Sequence, residues 1–120
     1  MTDLVALKRE ARHKKASSGR LEELARNADS TVQLAVVGNP NTPSVVLEYL
    51  GWSTKLGLLK ALTKNPNTPP DMHERLARHR RETVRQAVAR WVELSEVVAL
   101  EQLRHDKDAD IASKARKRLE

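Results

Sequence analysis

Five consecutive residues occur twice in this chain: Asn39-Pro40-Asn41-Thr42-Pro43 returns as Asn65-Pro66-Asn67-Thr68-Pro69, 26 positions later. The same offset holds for apolar positions. Leu24, Leu50 and Leu76 fall in register, as do Val32, Leu58 and Val84, then Ala35, Ala61 and Ala87, then Val36, Leu62 and Val88. With one extra residue, Leu100, Leu103 and Ile111 carry the series into a divergent last copy. A self-similarity with a period of about 20–50 residues marks stacked supersecondary units, each too small to bury its own apolar face.

Each copy reads as two short helices. Apolar residues recur at i, i+3 and i+4 in the first, as in Leu21, Leu24, Ala25 and Leu47, Leu50, Gly51, and in the second, as in Val84, Ala87, Val88. The five-residue motif then suits a helix-to-helix corner better than a ligand loop. Asn39 and Asn65 are predicted to take the left-handed conformation that ends a helix, and the following proline cannot continue one. Thr42 and Thr68 are predicted N-caps, with Pro43 and Pro69 at the first helical position, where a missing N–H costs nothing. Asp71 extends Thr68 into a Thr-x-x-Asp variant of the capping box.

The resulting map has a leading helix near Asp3–Lys14, followed by Gly19–Arg26, Thr31–Val37, Pro43–Gly51, Lys55–Lys64, Pro69–Arg78, Glu82–Trp91, Glu96–Arg104 and Ala109–Leu119. It predicts an all-α chain forming one repeat domain over 1–120. Residues 1–17 make a basic cap helix, 18–41, 42–67 and 68–93 three copies, and 94–120 a divergent capping copy. The junction Trp91-Val92-Glu93-Leu94-Ser95 lacks the Asn-Pro motif, and Trp91 is expected to fill space in place of the asparagine. Phe is absent and the aromatics are Tyr49, Trp52 and Trp91, so the core must be built from Leu, Val, Ala and Met.

The pattern Leu-Ala, then Val-x-x-Ala-Val-x-x-Asn-Pro-x-Thr-Pro, present as Leu24-Ala25, Val32, Ala35-Val36, Asn39-Pro40 and Thr42-Pro43, resembles the variant leucine-rich repeat. The likeness covers Leu21 to Val88. It implies a short right-handed α-solenoid of about four helix pairs, similar in shape to HEAT repeats. A founding member of that family carries a cysteine-bound iron–sulfur cluster. This chain has no cysteine, so that group does not carry over and no cofactor is expected. The resemblance implies an architecture and supplies no activity.

Function has to be sought in charge. The chain carries a net charge of +6 and a pI near 10, which favours an anionic partner without specifying a fold. The predicted second helices hold most of the unopposed cations, whereas the first helices mix signs. Lys60, Lys64, Arg81, Arg85, Arg90, Lys114 and Lys117 are the candidate ligand-binding residues, and Lys64, Arg90 and Lys117 occupy equivalent repeat positions. Stacked, they would line a basic groove able to follow a DNA or RNA phosphate backbone, or an acidic protein face, without reading bases. Lys64, Arg90 and Arg116 to Arg118 also complement helix C-termini without any ligand. The segment bearing Lys8, Arg9, Arg12, Lys14 and Lys15 fits a basic arm or a solubilising cap.

Enzymatic motifs are missing. His13, His73, His79 and His105 have no metal-ligand spacing, and His73 and His79 read as surface polar residues. Asp106, Asp108 and Asp110 echo the start of a calcium loop, but Ile111 stands where its glycine belongs, so capping of the last helix explains them better. A HEAT-like DNA glycosylase would need an acid beside an aromatic pocket, and neither Trp52 nor Trp91 has one in view. The expectation is therefore a non-enzymatic, cytoplasmic protein of bacterial type, with no membrane association. Its partner would be a nucleic acid or a protein. The alternative is a salt-insensitive protein-interaction scaffold, monomeric or weakly dimeric.

Overall fold

Helices this short are marginal in isolation and hold only when their apolar faces are covered. The computed structural model describes residues 3–120, and every regular element among them is helical. The elements are α1 (Leu4–Arg12), α2 (Ser18–Ala25), α3 (Ser30–Val37), α4 (Ser44–Leu50), α5 (Leu56–Leu62), α6 (Pro70–Leu76), α7 (Glu82–Trp91), α8 (Val97–Leu103) and α9 (Ala109–Leu119). Each matches a predicted helix to within one or two residues at its ends, the usual uncertainty of a frayed terminus. No helix among the described residues is long and apolar enough to cross a membrane.

Packing divides the chain into two compact units, the first ending at Thr68 and the second running Pro69–Glu120. In the first, α3 lies against both α1 and α5, while α2 packs on α4. In the second, α6 packs on α8 and α7 on α9. The four apolar columns supply much of the interior of each unit, and all their members are buried except Ala61, which is partly exposed. Each fully buried leucine or valine contributes about 1.5–3 kcal/mol, which is why Leu and Val suffice without Phe.

The helix starts follow two rules. Asp3, Ser17, Asp29 and Asp108 cap α1, α2, α3 and α9 through side-chain oxygens. The starts of α4 and α6 depart from expectation, because Pro43 and Pro69 themselves occupy the N-cap and no side chain caps either helix. Thr42 and Thr68 face inward instead. Thr42 Oγ1 donates to Val36 O at 2.6 Å and Thr68 Oγ1 to Leu62 O at 2.7 Å, each satisfying a carbonyl at the end of the preceding helix. With Thr68 turned inward the capping box does not form, and Asp71 simply sits in the first turn of α6.

Asn39 and Asn65 also depart from expectation: no described residue has a positive φ. Both are buried, and their amides do the work that a left-handed turn was expected to do. Asn65 Nδ2 donates to Val37 O (2.7 Å) and Asn39 O (3.0 Å), while its Oδ1 accepts from Asn67 N (2.9 Å). One copy earlier, Asn39 Nδ2 donates to Ala11 O (2.8 Å) and His13 O (3.0 Å), and its Oδ1 accepts from Asn41 N (2.9 Å). The result is an asparagine ladder, in which each rung closes its own turn and satisfies two carbonyls of the preceding corner.

Candidate binding surface

The seven candidate cations fall into both units. Lys60 and Lys64, at the end of α5, are exposed. In the second unit Arg81, at the N-cap of α7, and Arg90, in its last turn, are exposed, as is Lys117 near the end of α9; Lys114 is half-buried. Arg90 and Lys117 sit at the same end of the packed helices α7 and α9, because Arg118 at the end of α9 reaches the carbonyls of Ala89 and Val92 at the end of α7. Arg118 helps to seat that end. Its Nη1 donates to Ala89 O at 3.1 Å and its Nη2 to Val92 O. It thus supplies the second unit with the bridge that Asn39 and Asn65 make in the first.

Arg85 does not belong to this surface. It is 6 % exposed and fully engaged: Nε donates to Asp106 Oδ2 (2.8 Å), Nη2 to Asp106 Oδ1 (3.4 Å), and Nη1 to the carbonyls of His79 (2.8 Å) and Arg80 (3.1 Å). Asp106 Oδ1 in turn accepts from Asp108 N (2.9 Å). The pair ties the loop before α7 to the loop before α9, so Arg85 is structural. The repeat register carries the signal, because Arg85 stands where the middle copy has Leu59, a residue only 2 % exposed.

Trp91 also differs from expectation. It is 43 % exposed rather than filling the interior, and the Arg90 guanidinium lies over its ring, 4.8 Å from the centroid. A cation on an aromatic face is attracted by the ring quadrupole, by roughly 0.5–1 kcal/mol at an exposed site, and the contact holds Arg90 outward.

His73 was expected on the surface and is buried, 3 % exposed. Counting in steps of 26 places it in the column of Leu21 and Leu47, so the register held this signal as well. Burial pushes its imidazole down to about 4, and its Nδ1 has no hydrogen-bond partner. Glu96 Oε1 is 3.9 Å from Nε2, too long for a hydrogen bond, and with His73 held neutral the two form no ion pair near pH 7. Burial, then Glu93 and Glu74, raise the Glu96 carboxyl. His79 is lowered by burial first and then by Arg80, Arg81 and Arg85; its Nδ1 accepts from Arg81 N at 3.0 Å.

A pH dependence follows. The folded value of His73 lies below its unfolded value near 6.5, so the unfolded chain takes up the proton first. Stability is therefore lost as pH falls from about 6.5 towards 4, by on the order of 3 kcal/mol from His73 alone, and the raised Glu96 carboxyl works in the opposite sense. Urea unfolding of the wild type and of His73→Leu, at pH 7 and again near pH 4.5, should show the variant gaining on the wild type in acid. A constant difference between them would refute the assignment.

The remaining junctions are organised by a second set of turn acceptors. Asn27 Oδ1, Ser53 Oγ, His79 Nδ1 and Asp106 Oδ1 each accept the N–H two residues on, at 2.9–3.0 Å. These positions recur at the repeat offset despite four different residue types, so identity could not reveal them and geometry does. Among the described residues no group of three or more His, Cys, Asp or Glu side chains is placed to hold a metal ion. No protein-family model, curated protein or solved structure matches the chain.

Proposed function

We propose that the chain is a short right-handed α-solenoid of the variant-leucine-rich-repeat and HEAT-like kind, acting as a non-catalytic binding module. Its second-helix layer holds a polyanion, the phosphate backbone of a nucleic acid. The observation that carries this reading is the pairing of Arg90 and Lys117, both exposed and both at the same end of packed helices α7 and α9. Lys64 occupies the matching position of the preceding copy and is also exposed. Lys60, Arg81 and Lys114 flank these positions on the same helices or at their ends. Arg85, committed to Asp106, takes no part.

A phosphate-following surface releases counterions, so its affinity must fall with salt. Three contacts from Lys64, Arg90 and Lys117 give a slope of about −2.7 in log K against log salt, or roughly fortyfold between about 50 and 200 mM. Anisotropy titration of a labelled duplex and of a labelled single strand reads this directly. The double variant Lys64→Glu/Arg90→Glu should flatten the slope by about 1.8. No binding at low salt, or binding indifferent to both reversals, overturns the proposal.

A further inference from the structure

Helix α4 is apolar on two faces. Val46, Leu47 and Leu50 fill the core, whereas Val45 and Tyr49 point outward, 67 % and 57 % exposed, followed by Trp52 at 73 %. Positions 45, 49 and 52 follow the i, i+4, i+7 spacing of an apolar seam. A clustered exposed apolar patch of this kind marks an interaction surface, and two of the chain's three aromatics stand on this ridge. Tyr49 separates two recesses. One, of about 210 Å³, lies beside Ala25, Val45 and Val46; the other, of about 260 Å³, lies beside Leu50 and Trp52. Both fall below the roughly 300–1,000 Å³ of small-molecule sites. They suit single side chains inserted from a partner.

The charge around this ridge is opposite to that of the chain as a whole. Helices α2 and α4 contain no lysine. Their arginine, Arg20, is held by Glu10 at 2.6 Å and by Glu23 at 3.0 Å, and Arg26, at the end of α2, is held by Glu22 at 3.0 Å. Glu48, between Val45 and Tyr49 on the outer face, has no ion-pair partner among the described residues. Four glutamates therefore face three cations here, Arg20, Arg26 and the exposed Lys55 just beyond Trp52. The screening length is about 8 Å at physiological salt, so a docked segment senses the charges beside the ridge rather than the net charge of the chain.

We infer that the Val45–Tyr49–Trp52 ridge, rimmed by Glu48 and Glu22, docks a cationic amphipathic helix of a partner protein, seating apolar side chains in the two recesses and lysines or arginines against the rim. This surface shares no residue with the proposed polyanion face and takes a partner of the opposite charge. An idealised amphipathic peptide of leucine and lysine, labelled with fluorescein, serves as the probe, with its leucine–glutamate counterpart as control. The expected result is saturable binding of the lysine peptide and at least about tenfold weaker binding of the glutamate peptide. Trp52→Ala and Tyr49→Ala should each weaken the lysine peptide by about tenfold or more, as aromatic anchors do, and Glu48→Lys should weaken it without touching the ridge. All three positions are exposed, and circular dichroism checks that each variant is folded. The Lys64→Glu/Arg90→Glu variant should bind the peptide unchanged, which keeps this test independent of the nucleic-acid one. Equal binding of both peptides, or binding indifferent to Tyr49 and Trp52, overturns the inference. So does a dimer, seen by sedimentation, that Trp52→Ala dissolves, since the ridge then belongs to a second copy of the chain.

Discussion

Arg85→Ala is expected to destabilise the second unit by roughly 3–5 kcal/mol, the cost of removing one partner from a buried ion pair. Asp106, with its side chain 6 % exposed, would be left as a buried carboxylate without its counter-charge, and the carbonyls of His79 and Arg80 would lose their donor. Against a total stability of about 5–15 kcal/mol for a domain, that is about a fifth or more. Urea titration followed by circular dichroism measures it. Arg85→Lys should recover only part of the loss, because an ammonium cannot span both carboxylate oxygens and the two backbone carbonyls. The double variant Arg85→Leu/Asp106→Leu should be milder than either single removal, since apolar replacement of both partners leaves no stranded charge. A single variant within about 1 kcal/mol of wild type would show the pair to be dispensable.

Asn65→Ala is the second large effect, roughly 3–4 kcal/mol, from three hydrogen bonds at about 1 kcal/mol each and from the desolvated groups left behind. The carbonyl of Val37 and the N–H of Asn67 lose their partner at once, and the carbonyl of Asn39 is left with Thr42 N alone. Asn65→Asp should be worse than alanine, since it keeps the acceptor and puts a carboxylate beside two carbonyl oxygens in a buried place. At Thr68, valine keeps the shape and removes only the bond to Leu62 O, so it should cost about 1 kcal/mol. Thermal or urea unfolding should give the order Asp, Ala, then Thr68→Val, from most to least destabilised. If aspartate were tolerated as well as alanine, Nδ2 would not be the atom that matters.

The helices were legible because the apolar columns at Leu24, Val32 and Val36 and their equivalents are enforced by burial, and burial leaves a periodic mark in sequence. The corners were legible as corners and misread in detail. A threonine hydroxyl can accept from a helix N–H or donate to a carbonyl, and nothing in Asn-Pro-Asn-Thr-Pro distinguishes the two until the preceding helix end at Val36 or Leu62 is in place. Asparagine has the same ambiguity between a left-handed backbone and an amide bridge. Arg85 and His73 are hidden for another reason: residue type points them outward while register points them inward. Both occupy columns that hold leucine in the middle copy, Leu59 and Leu47, and the column predicts their burial correctly. The exposed cations at positions 64, 90 and 117 were legible because they close helices on the surface. The ridge of Tyr49 and Trp52 was not, since i, i+4 spacing alone cannot say which of two apolar faces of α4 turns inward.

The asparagine rungs at 39 and 65 bear on how such a chain can change in length. Each rung draws its donor from one copy and its acceptors from the segment before, the leading segment for Asn39 and the previous copy for Asn65, and the side chain reaches no further back. A tandem duplication of a whole cassette would arrive already carrying both halves of the joint, whereas an insertion of a few residues would split donor from acceptor. Growth by complete copies would thereby keep every rung intact, and a small insertion is expected to be borne where no rung spans it, as with the extra residue before Asp106, where an ion pair joins the neighbouring loops.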